Sequence, residues 1–206
     1  MKTYSIFPEP VSVFKYDENP KVLKNVRKII ESNDPSGQQD GRSWWMNYVL
    51  KRPEFEGLKN FIVESTNTFA KDVLSYKDQN FILLDSWINL CDKGGFQYRH
   101  NHSNCIISGT YYPKFISGNA TIAFQKQFLL DSMPFPYFQI QKDYDNLTEF
   151  SFPAWEITPE SGDLLLWNSH LPHGYNNEPV GDRISISFNM ISAEFSSGIH
   201  TIKVQQ

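Results

Sequence analysis

The chain has 206 residues, of which 15% are aromatic and only 20% charged, and its formal net charge is −4. A chain of this length can bury a core of its own, and so many aromatic residues exclude disorder for most of it. No apolar run approaches the ~20 residues that span a bilayer, and the acidic balance argues against nucleic-acid binding through phosphate contacts. We therefore expect one folded domain over residues 1–206, cytoplasmic, with no membrane segment or signal peptide.

The first part of the chain, to about residue 79, is predicted to be a helical cover. Asn19 and Pro20 form a typical helix start, because proline suits the first helical position, and apolar residues then recur at helical spacing up to Ile30. A second helix is predicted from about Glu56 to about Tyr76. Both helices would pack on the remainder of the chain.

From about residue 80 to 206, the chain is predicted to form short β-strands. Segments rich in β-branched and aromatic residues are separated by Gly, Pro, Asn and Asp, as strands joined by turns are. The segments are FILLDSWINL, CIISGTYY, NATIAFQ, FSFPAWEITP, DLLLWNS, RISISFNMIS and HTIKVQQ. Many short strands after two helices predict a mainly β fold, a jelly roll with an N-terminal helical layer.

Four of the five histidines fall in two tight groups within the β-rich part. His100 and His102 lie two residues apart, a spacing that places both imidazoles on one face of a strand. Imidazole binds Fe, Zn, Cu and Ni, so this pair is a candidate metal site, although such pairs are also common on exposed strand ends. His170 and His173 form the second group, and a turn could bring either of them inward.

Arg183 opens a segment in which polar and apolar residues alternate. Ser185 lies two residues further on and faces the same way, so the two side chains make a fork-shaped site for a carboxylate. A surface ion pair with Asp182 or Glu178 would explain Arg183 more simply. The joint occurrence of a histidine pair, a distal histidine about 70 residues later and an arginine ten residues after that favours a functional site.

Taken together, these motifs resemble the Fe(II)- and 2-oxoglutarate-dependent oxygenases, specifically a small group of bacterial and phage oxygenases. The resemblance extends from about Trp87 to Asn189, roughly half of the chain. It rests on the following segments: Ser86-Trp87-Ile88-Asn89, Gly94-Gly95, His100-x-His102, Ser108-Gly109-x-Tyr111-Tyr112, Pro159-x-x-Gly162-Asp163-Leu164-Leu165-Leu166-Trp167, Leu171-Pro172-His173, and Arg183-Ile184-Ser185-Ile186-Ser187-Phe188-Asn189.

The resemblance implies a double-stranded β-helix, which is a jelly-roll barrel, with Fe(II) near its mouth. It implies that His173 is the distal metal ligand and that Arg183 with Ser185 holds the distal carboxylate of 2-oxoglutarate. Tyr111 or Tyr112 would also contact this co-substrate, and we take Tyr111 as the candidate. The implied activity is that of a dioxygenase: hydroxylation or another two-electron oxidation of an unknown small molecule or peptide, with molecular oxygen and 2-oxoglutarate consumed.

One position departs from the usual proximal motif of this family, which is His-x-Asp or His-x-Glu, because His102 stands in the third place. Three arrangements are open. Three imidazoles bind the metal, or His102 lies beside a two-histidine site, or a remote carboxylate such as Asp85 or Asp92 completes the site. We favour His100, His102 and His173 as the ligands, a set that leaves one more positive charge on the iron.

Two other classes of protein share parts of this pattern. A cupin-like metal enzyme that does not use 2-oxoglutarate would have the three histidines but no need of Arg183 beside them. A non-catalytic jelly-roll binding protein would need neither feature. In the favoured interpretation, substrate choice depends on loops around the mouth of the barrel, above all on the segment from Gln125 to Phe152.

Overall fold

The computed structural model describes residues 1–6, 8–32, 37–40, 43–125, 143, 145–146, 148, 150–151 and 154–204. In chain order, the α-helices and strands of these ranges are β1 (Val11–Lys15), α1 (Asn19–Glu31), β2 (Gly37–Asp40), β3 (Ser43–Asn47), α2 (Glu56–Thr68), β4 (Phe81–Cys91), β5 (Gln97–His100), β6 (Ile107–Lys114), β7 (Ile122–Gln125), β8 (Ala154–Ile157), β9 (Asp163–Asn168), β10 (His173–Tyr175), β11 (Arg183–Ser192), β12 (Glu194–Ser196) and β13 (Thr201–Lys203). The predicted strand segments all contain a strand.

The strands form two antiparallel sheets and a short hairpin. The larger sheet has the order β1-β9-β6-β11-β4-β3-β2, the smaller sheet has the order β5-β10-β7-β8, and β12 pairs with β13. Most neighbours in the two sheets are distant in the chain, so the connections cross from one sheet to the other, as in a jelly roll. The prediction of a mainly β jelly roll is confirmed.

The central strand β11 separates the core from the space between the sheets. It pairs with β4 on one side and β6 on the other. Ile184 and Ile186 lie in the main hydrophobic core, whereas Arg183 and Ser185 line a pocket on the opposite face. Successive residues of a strand point to opposite faces, so the alternation read in the sequence is that of a strand buried on both sides.

Two helices cover the core face of the larger sheet. Val26 of α1 and Ile62 of α2 have no exposed surface and lie in the same core as the apolar residues of β11. Burying one such side chain contributes about 1.5–3 kcal/mol, so the amphipathic helices gain their stability from this contact. A π-helical turn, Phe69–Val73, extends α2 towards its predicted end. Neither α1 nor α2, the two α-helices of the described chain, has the length and apolar character of a membrane-spanning helix.

The first 79 residues are more than a helical layer, which corrects the predicted helical cover. They also contain β1, β2 and β3, which occupy the two ends of the larger sheet. β1 pairs with β9 from Val11 opposite Trp167 to Lys15 opposite Asp163. The partner strand is distant in the chain, and local periodicity cannot reveal a pairing of such long range.

Candidate metal and co-substrate site

Three histidines meet where β5 and β10 lie side by side. His100 ends β5 and is paired with His173, the first residue of β10, while His102 follows β5 by two residues. Each ring can offer one nitrogen atom to a metal, and these three atoms lie within 4.8 Å of one another. The structure thus brings His100, His102 and His173 together, as predicted.

The convergence of His100 and His102 has a different cause from the predicted one. The prediction placed both on one strand face, but β5 ends at His100 and His102 lies in the loop that follows. The backbone N–H of His102 donates to the carbonyl oxygen of Ser169, just after β9, at 3.0 Å. An anchored loop, and not strand periodicity, therefore turns the His102 ring towards the other two.

A glycine allows β5 and β10 to approach closely beside this cluster. A β-carbon on Gly174, the residue after His173, would lie 2.6 Å from the Gln97 carbonyl oxygen and 3.0 Å from that of Tyr98. Both atoms belong to the backbone of β5, which cannot yield as a flexible side chain can. The absence of a side chain at residue 174 is therefore required for the contact between the two strands.

Hydrogen bonds to backbone carbonyls orient two of the rings. Nδ1 of His173 donates to the Leu171 carbonyl oxygen at 2.9 Å, and Nδ1 of His100 donates to that of Tyr98 at 2.8 Å. Because a carbonyl oxygen only accepts, Nδ1 carries a proton in both rings, which leaves Nε2 as the nitrogen that a metal could use. Nε2 of His173 lies 3.3 Å from Nε2 of His102. The free lone pairs are those that a metal would use.

Burial keeps two of the imidazoles neutral. It lowers the pKa of His173 from its ordinary value of 6.5 to about 3, against the opposing effect of the Leu171 carbonyl. It also lowers the pKa of His102 from 6.5 to about 4, and the neighbouring imidazole of His100 adds to this effect. Rings that stay unprotonated at neutral pH are ready to bind a metal without losing a proton.

The structure gives no support to a remote carboxylate ligand. Within the described residues, the histidine cluster includes no acidic side chain. Asp85 lies opposite Asn189 in the larger sheet, where burial raises the pKa of its carboxyl group, and Asp92 is exposed. His170, the alternative to His173 as a ligand, is exposed, and its Nε2 lies 3.3 Å from Oε1 of Glu9.

The histidines form one wall of a pocket between the two sheets. The opposite wall comes from β11 and β6 and includes Arg183, Ser185 and Tyr112. Among the described residues that line this pocket, Arg183 alone carries a formal charge. The predicted metal ligands and the predicted carboxylate fork therefore share one pocket.

Arg183 is a buried cation held by aromatic rings. Its residue is 3% exposed, and its guanidinium carbon lies 4.1 Å from the ring centre of Tyr175 and 5.2 Å from that of Tyr112. One terminal nitrogen donates to the Tyr112 hydroxyl at 3.4 Å, while Nε is buried without a hydrogen-bond partner. A buried charge is costly unless it is paired, so this guanidinium requires an anion.

The two acids nearest to Arg183 in sequence are engaged elsewhere. Asp182 forms ion pairs with Lys114 and with Arg27 of α1. Glu178 accepts hydrogen bonds from N–H groups of two loops. Arg183 has no ion pair within the described part of the chain, so the simpler explanation of a surface ion pair does not hold.

Tyr112, and not Tyr111, faces the pocket. Tyr111 lies in the main core, and its hydroxyl donates to Oδ1 of Asn19 in α1 at 2.6 Å. Adjacent residues of a strand point to opposite faces, so only one of the two tyrosines can reach the pocket. Tyr111 therefore lies away from the pocket, which corrects its place in the prediction, and Tyr112 is the tyrosine beside Arg183.

Two pocket residues were missed at the level of sequence. Tyr175 lies two residues after His173 on β10, so strand periodicity applied to the distal histidine would have found it. Trp167 packs edge-on against His173 with ring centres 4.7 Å apart. Trp167 pairs with Ser108 of β6, and this pairing, which places it at the pocket, is not visible in the sequence.

The fold and the pocket together define a jelly-roll protein with nitrogen donors for a metal and a buried cation for an anion. A family model described as "Putative 2OG-Fe(II) oxygenase" matches residues 85–189, just over half of the chain. None of the curated protein sequences matches this chain.

Solved structures with the same fold come from several bacteria. One is an oxidoreductase of the 2OG-Fe(II) oxygenase family from Burkholderia pseudomallei, 10% identical, with a TM-score of 0.60 over 88% of this chain and 84% of that one. Another is a Pseudomonas putida prolyl-4-hydroxylase, 12% identical, with a TM-score of 0.57 over 88% and 92%. A third is HygX from Streptomyces hygroscopicus with nickel, 2-oxoglutarate and hygromycin B bound, 17% identical, with a TM-score of 0.60 over 88% and 82%.

The chain belongs to the 2OG-Fe(II) oxygenase family. It is an Fe(II)- and 2-oxoglutarate-dependent oxygenase, which confirms the predicted enzyme class, the iron and the co-substrate. The likeness to the solved structures, at such low identity, concerns the fold alone.

Proposed function

We propose that His100, His102 and His173 bind the Fe(II), and that Arg183 with Ser185 and Tyr112 binds the distal carboxylate of 2-oxoglutarate. The observation that carries the proposal is the buried guanidinium of Arg183, which has no acidic partner among the described residues and lies in the same pocket as three convergent imidazoles. An anion must complete that site. 2-Oxoglutarate has a metal-chelating keto acid at one end of its carbon chain and a second carboxylate, which can pair with Arg183, at the other.

The donor set fits iron. Three imidazoles converge in the pocket, two of them kept neutral by burial, and imidazole is a good ligand for Fe(II). With three protein ligands, coordination positions stay open for co-substrate and oxygen. Bound Fe(II) would let molecular oxygen oxidise 2-oxoglutarate to succinate and carbon dioxide, with the second oxygen atom used for a two-electron oxidation of the substrate.

The protein's own residues bind and orient the co-substrate. The Arg183 guanidinium lies over the rings of Tyr175 and Tyr112, so its fork is in place before the carboxylate arrives. Ser185, 3% exposed on the same face of β11, offers a hydroxyl beside it. Burial keeps water from competing for these donors, which strengthens a charge-assisted hydrogen bond.

We propose hydroxylation of a small molecule or peptide as the reaction, performed by a single cytoplasmic domain. The segment predicted to select the substrate, residues 125–152, lies mostly outside the described residues.

The test is an anaerobic titration of 2-oxoglutarate into protein loaded with Fe(II), followed by the visible absorption of the chelated keto acid. Wild type is expected to bind, and Arg183→Ala to lose on the order of 2–5 kcal/mol of binding free energy, as when one partner of a buried charge pair is removed. Iron affinity should not change, because Arg183 is not a ligand. Arg99→Ala, at an exposed position of β5, is the matched control.

No binding to wild type at millimolar 2-oxoglutarate would contradict the proposal and favour a cupin-like site. Equal binding to wild type and Arg183→Ala would place the carboxylate elsewhere in the pocket. Succinate release in air, measured with candidate substrates, separates an oxygenase from a protein that only binds the keto acid.

A further inference from the structure

Glu178 lies between β10 and β11 and has no exposed surface. Its carboxylate accepts four hydrogen bonds: from Nδ2 of Asn119 and the backbone N–H groups of Ala120 and Val180, each at 3.0 Å, and from the N–H of Gly181 at 3.1 Å. Burial alone would raise the pKa of Glu178, but these bonds outweigh it and hold the pKa below its ordinary value. The carboxylate is therefore ionised and fully engaged.

The backbone of Glu178 is bound as firmly as its side chain. Its N–H donates to the Gly95 carbonyl oxygen, and its carbonyl oxygen accepts from the N–H of Gly94, both at 2.6 Å. Glu178 thus joins three loops: the one between β4 and β5, the one between β6 and β7, and its own. We call this arrangement of Glu178 and its partners the Glu178 clamp.

The Glu178 clamp holds the loop that connects the two halves of the arginine site. This loop leaves β10 at Tyr175 and enters β11 at Arg183, and the guanidinium of Arg183 lies 4.1 Å over the ring of Tyr175. The stacked partners are therefore the two ends of the clamped segment. Any widening of the loop would separate them.

We propose that Glu178 is a positioning residue for the co-substrate: by closing this loop, it keeps Arg183 stacked on Tyr175 and ready for the distal carboxylate. The inference rests on the proposed role of Arg183. A site that is ordered before binding does not pay the ordering cost on binding, so loss of the clamp lowers affinity without removing any contact to the ligand.

A carboxylate suits this place better than an amide. All four partners are N–H donors, and a carboxylate accepts on both oxygens, whereas a glutamine would turn its NH2 group towards at least one of these donors. Glu178→Gln keeps the size of the side chain and breaks the clamp by leaving donors unpaired in a buried place.

The experiment compares two keto acids on Fe(II)-loaded protein without oxygen: 2-oxoglutarate, and pyruvate, which lacks the distal carboxylate. In Glu178→Gln, we expect the Kd for 2-oxoglutarate to rise about tenfold, which corresponds to about 1.4 kcal/mol. The Kd for pyruvate and the iron affinity should stay unchanged, because neither involves Arg183. Glu194→Gln, an exposed glutamate in the β12–β13 hairpin, is the matched control.

A double-mutant cycle tests the path of the effect. If Glu178 acts through the guanidinium, Glu178→Gln should have no further effect on 2-oxoglutarate binding in an Arg183→Lys background, since a flexible ammonium does not depend on the stack. Should Glu178→Gln fail to fold, Asn119→Ser removes one donor of the clamp and allows the same comparison of keto acids.

Equal weakening of both keto acids, or loss of iron, would show a merely structural role and overturn the inference. Unchanged affinity for 2-oxoglutarate would overturn it as well. If wild type itself binds pyruvate but not 2-oxoglutarate, the proposed role of Arg183 fails, and the role of Glu178 fails with it.

Discussion

The two ends of the pocket are built in opposite ways. The histidine end comes from two short strands and a loop, and His100 and His102 are only half-buried. The arginine end stands on the longest pairing of the larger sheet, where Arg183 is enclosed by rings and loops. In the proposed roles, the histidine end needs free nitrogen lone pairs and open coordination positions on the metal, whereas the arginine end needs a cation kept from water. Substitutions at the two ends should therefore affect different ligands.

Removal of the distal histidine should have the largest effect. His173→Ala deletes a buried imidazole whose Nε2 points to the cluster, so the protein should lose stoichiometric Fe(II) but keep its fold. His170→Ala is the matched control, because that ring is exposed near Glu9. Metal analysis of the purified variants gives the answer, and full iron content in His173→Ala would show that the distal ligand is a different residue.

The unusual third histidine gives the next effect. His102→Ala should weaken Fe(II) binding strongly while leaving 2-oxoglutarate recognition at Arg183 intact. Loss of a side chain that only supports a metal ligand typically lowers metal affinity about 10–100-fold, and loss of a ligand itself should lower it at least as much. His102→Asp restores the usual motif of the family and should keep part of the affinity. If His102→Ala and His170→Ala bind iron equally well, His102 is not a ligand.

The metal-free protein should lose stability as the pH falls from about 6.5 towards 4. His173 and His102 have folded pKa values of about 3 and about 4, so in this range the unfolded chain binds protons that the folded chain refuses. Each unit of pKa difference corresponds to about 1.4 kcal/mol, less for the half-exposed His102. Urea unfolding of wild type and His173→Gln across this range measures how the free energy of unfolding changes with pH. The same pH dependence in both proteins would contradict the prediction.

The two adjacent tyrosines of β6 should give the smallest and most discriminating contrast. Tyr112→Phe removes a hydroxyl next to Arg183 and should weaken 2-oxoglutarate binding without a large change in stability. Tyr111→Phe removes the bond to Asn19 and should cost about 1 kcal/mol of unfolding free energy with no effect on the co-substrate. Calorimetry of unfolding and titration with 2-oxoglutarate on both variants check these two effects. Weaker binding in Tyr111→Phe, with unchanged binding in Tyr112→Phe, would show that Tyr111 is the co-substrate contact.

Much of this site could be predicted because its motifs are local. The two-residue spacing of His100 and His102, and the alternation after Arg183, are properties of short segments. Strand periodicity does not tell which of Tyr111 and Tyr112 faces inward until the register of β6 against β11 is known. Strands β1 to β3 also escaped prediction, and two of them, β1 and β3, pair with strands far along the chain, β9 and β4. The Glu178 clamp joins three loops and has no sequence motif at all.

The close contact at Gly174 has a consequence for how this chain can vary. Any side chain there would meet the backbone of Gln97 and Tyr98, and relief would require β5 to move away from β10. His100 ends β5 and His173 begins β10, so the same movement would pull two imidazoles apart. The distance between these two imidazoles thus depends partly on the absence of a side chain at residue 174, and even an alanine there would push the two histidines apart.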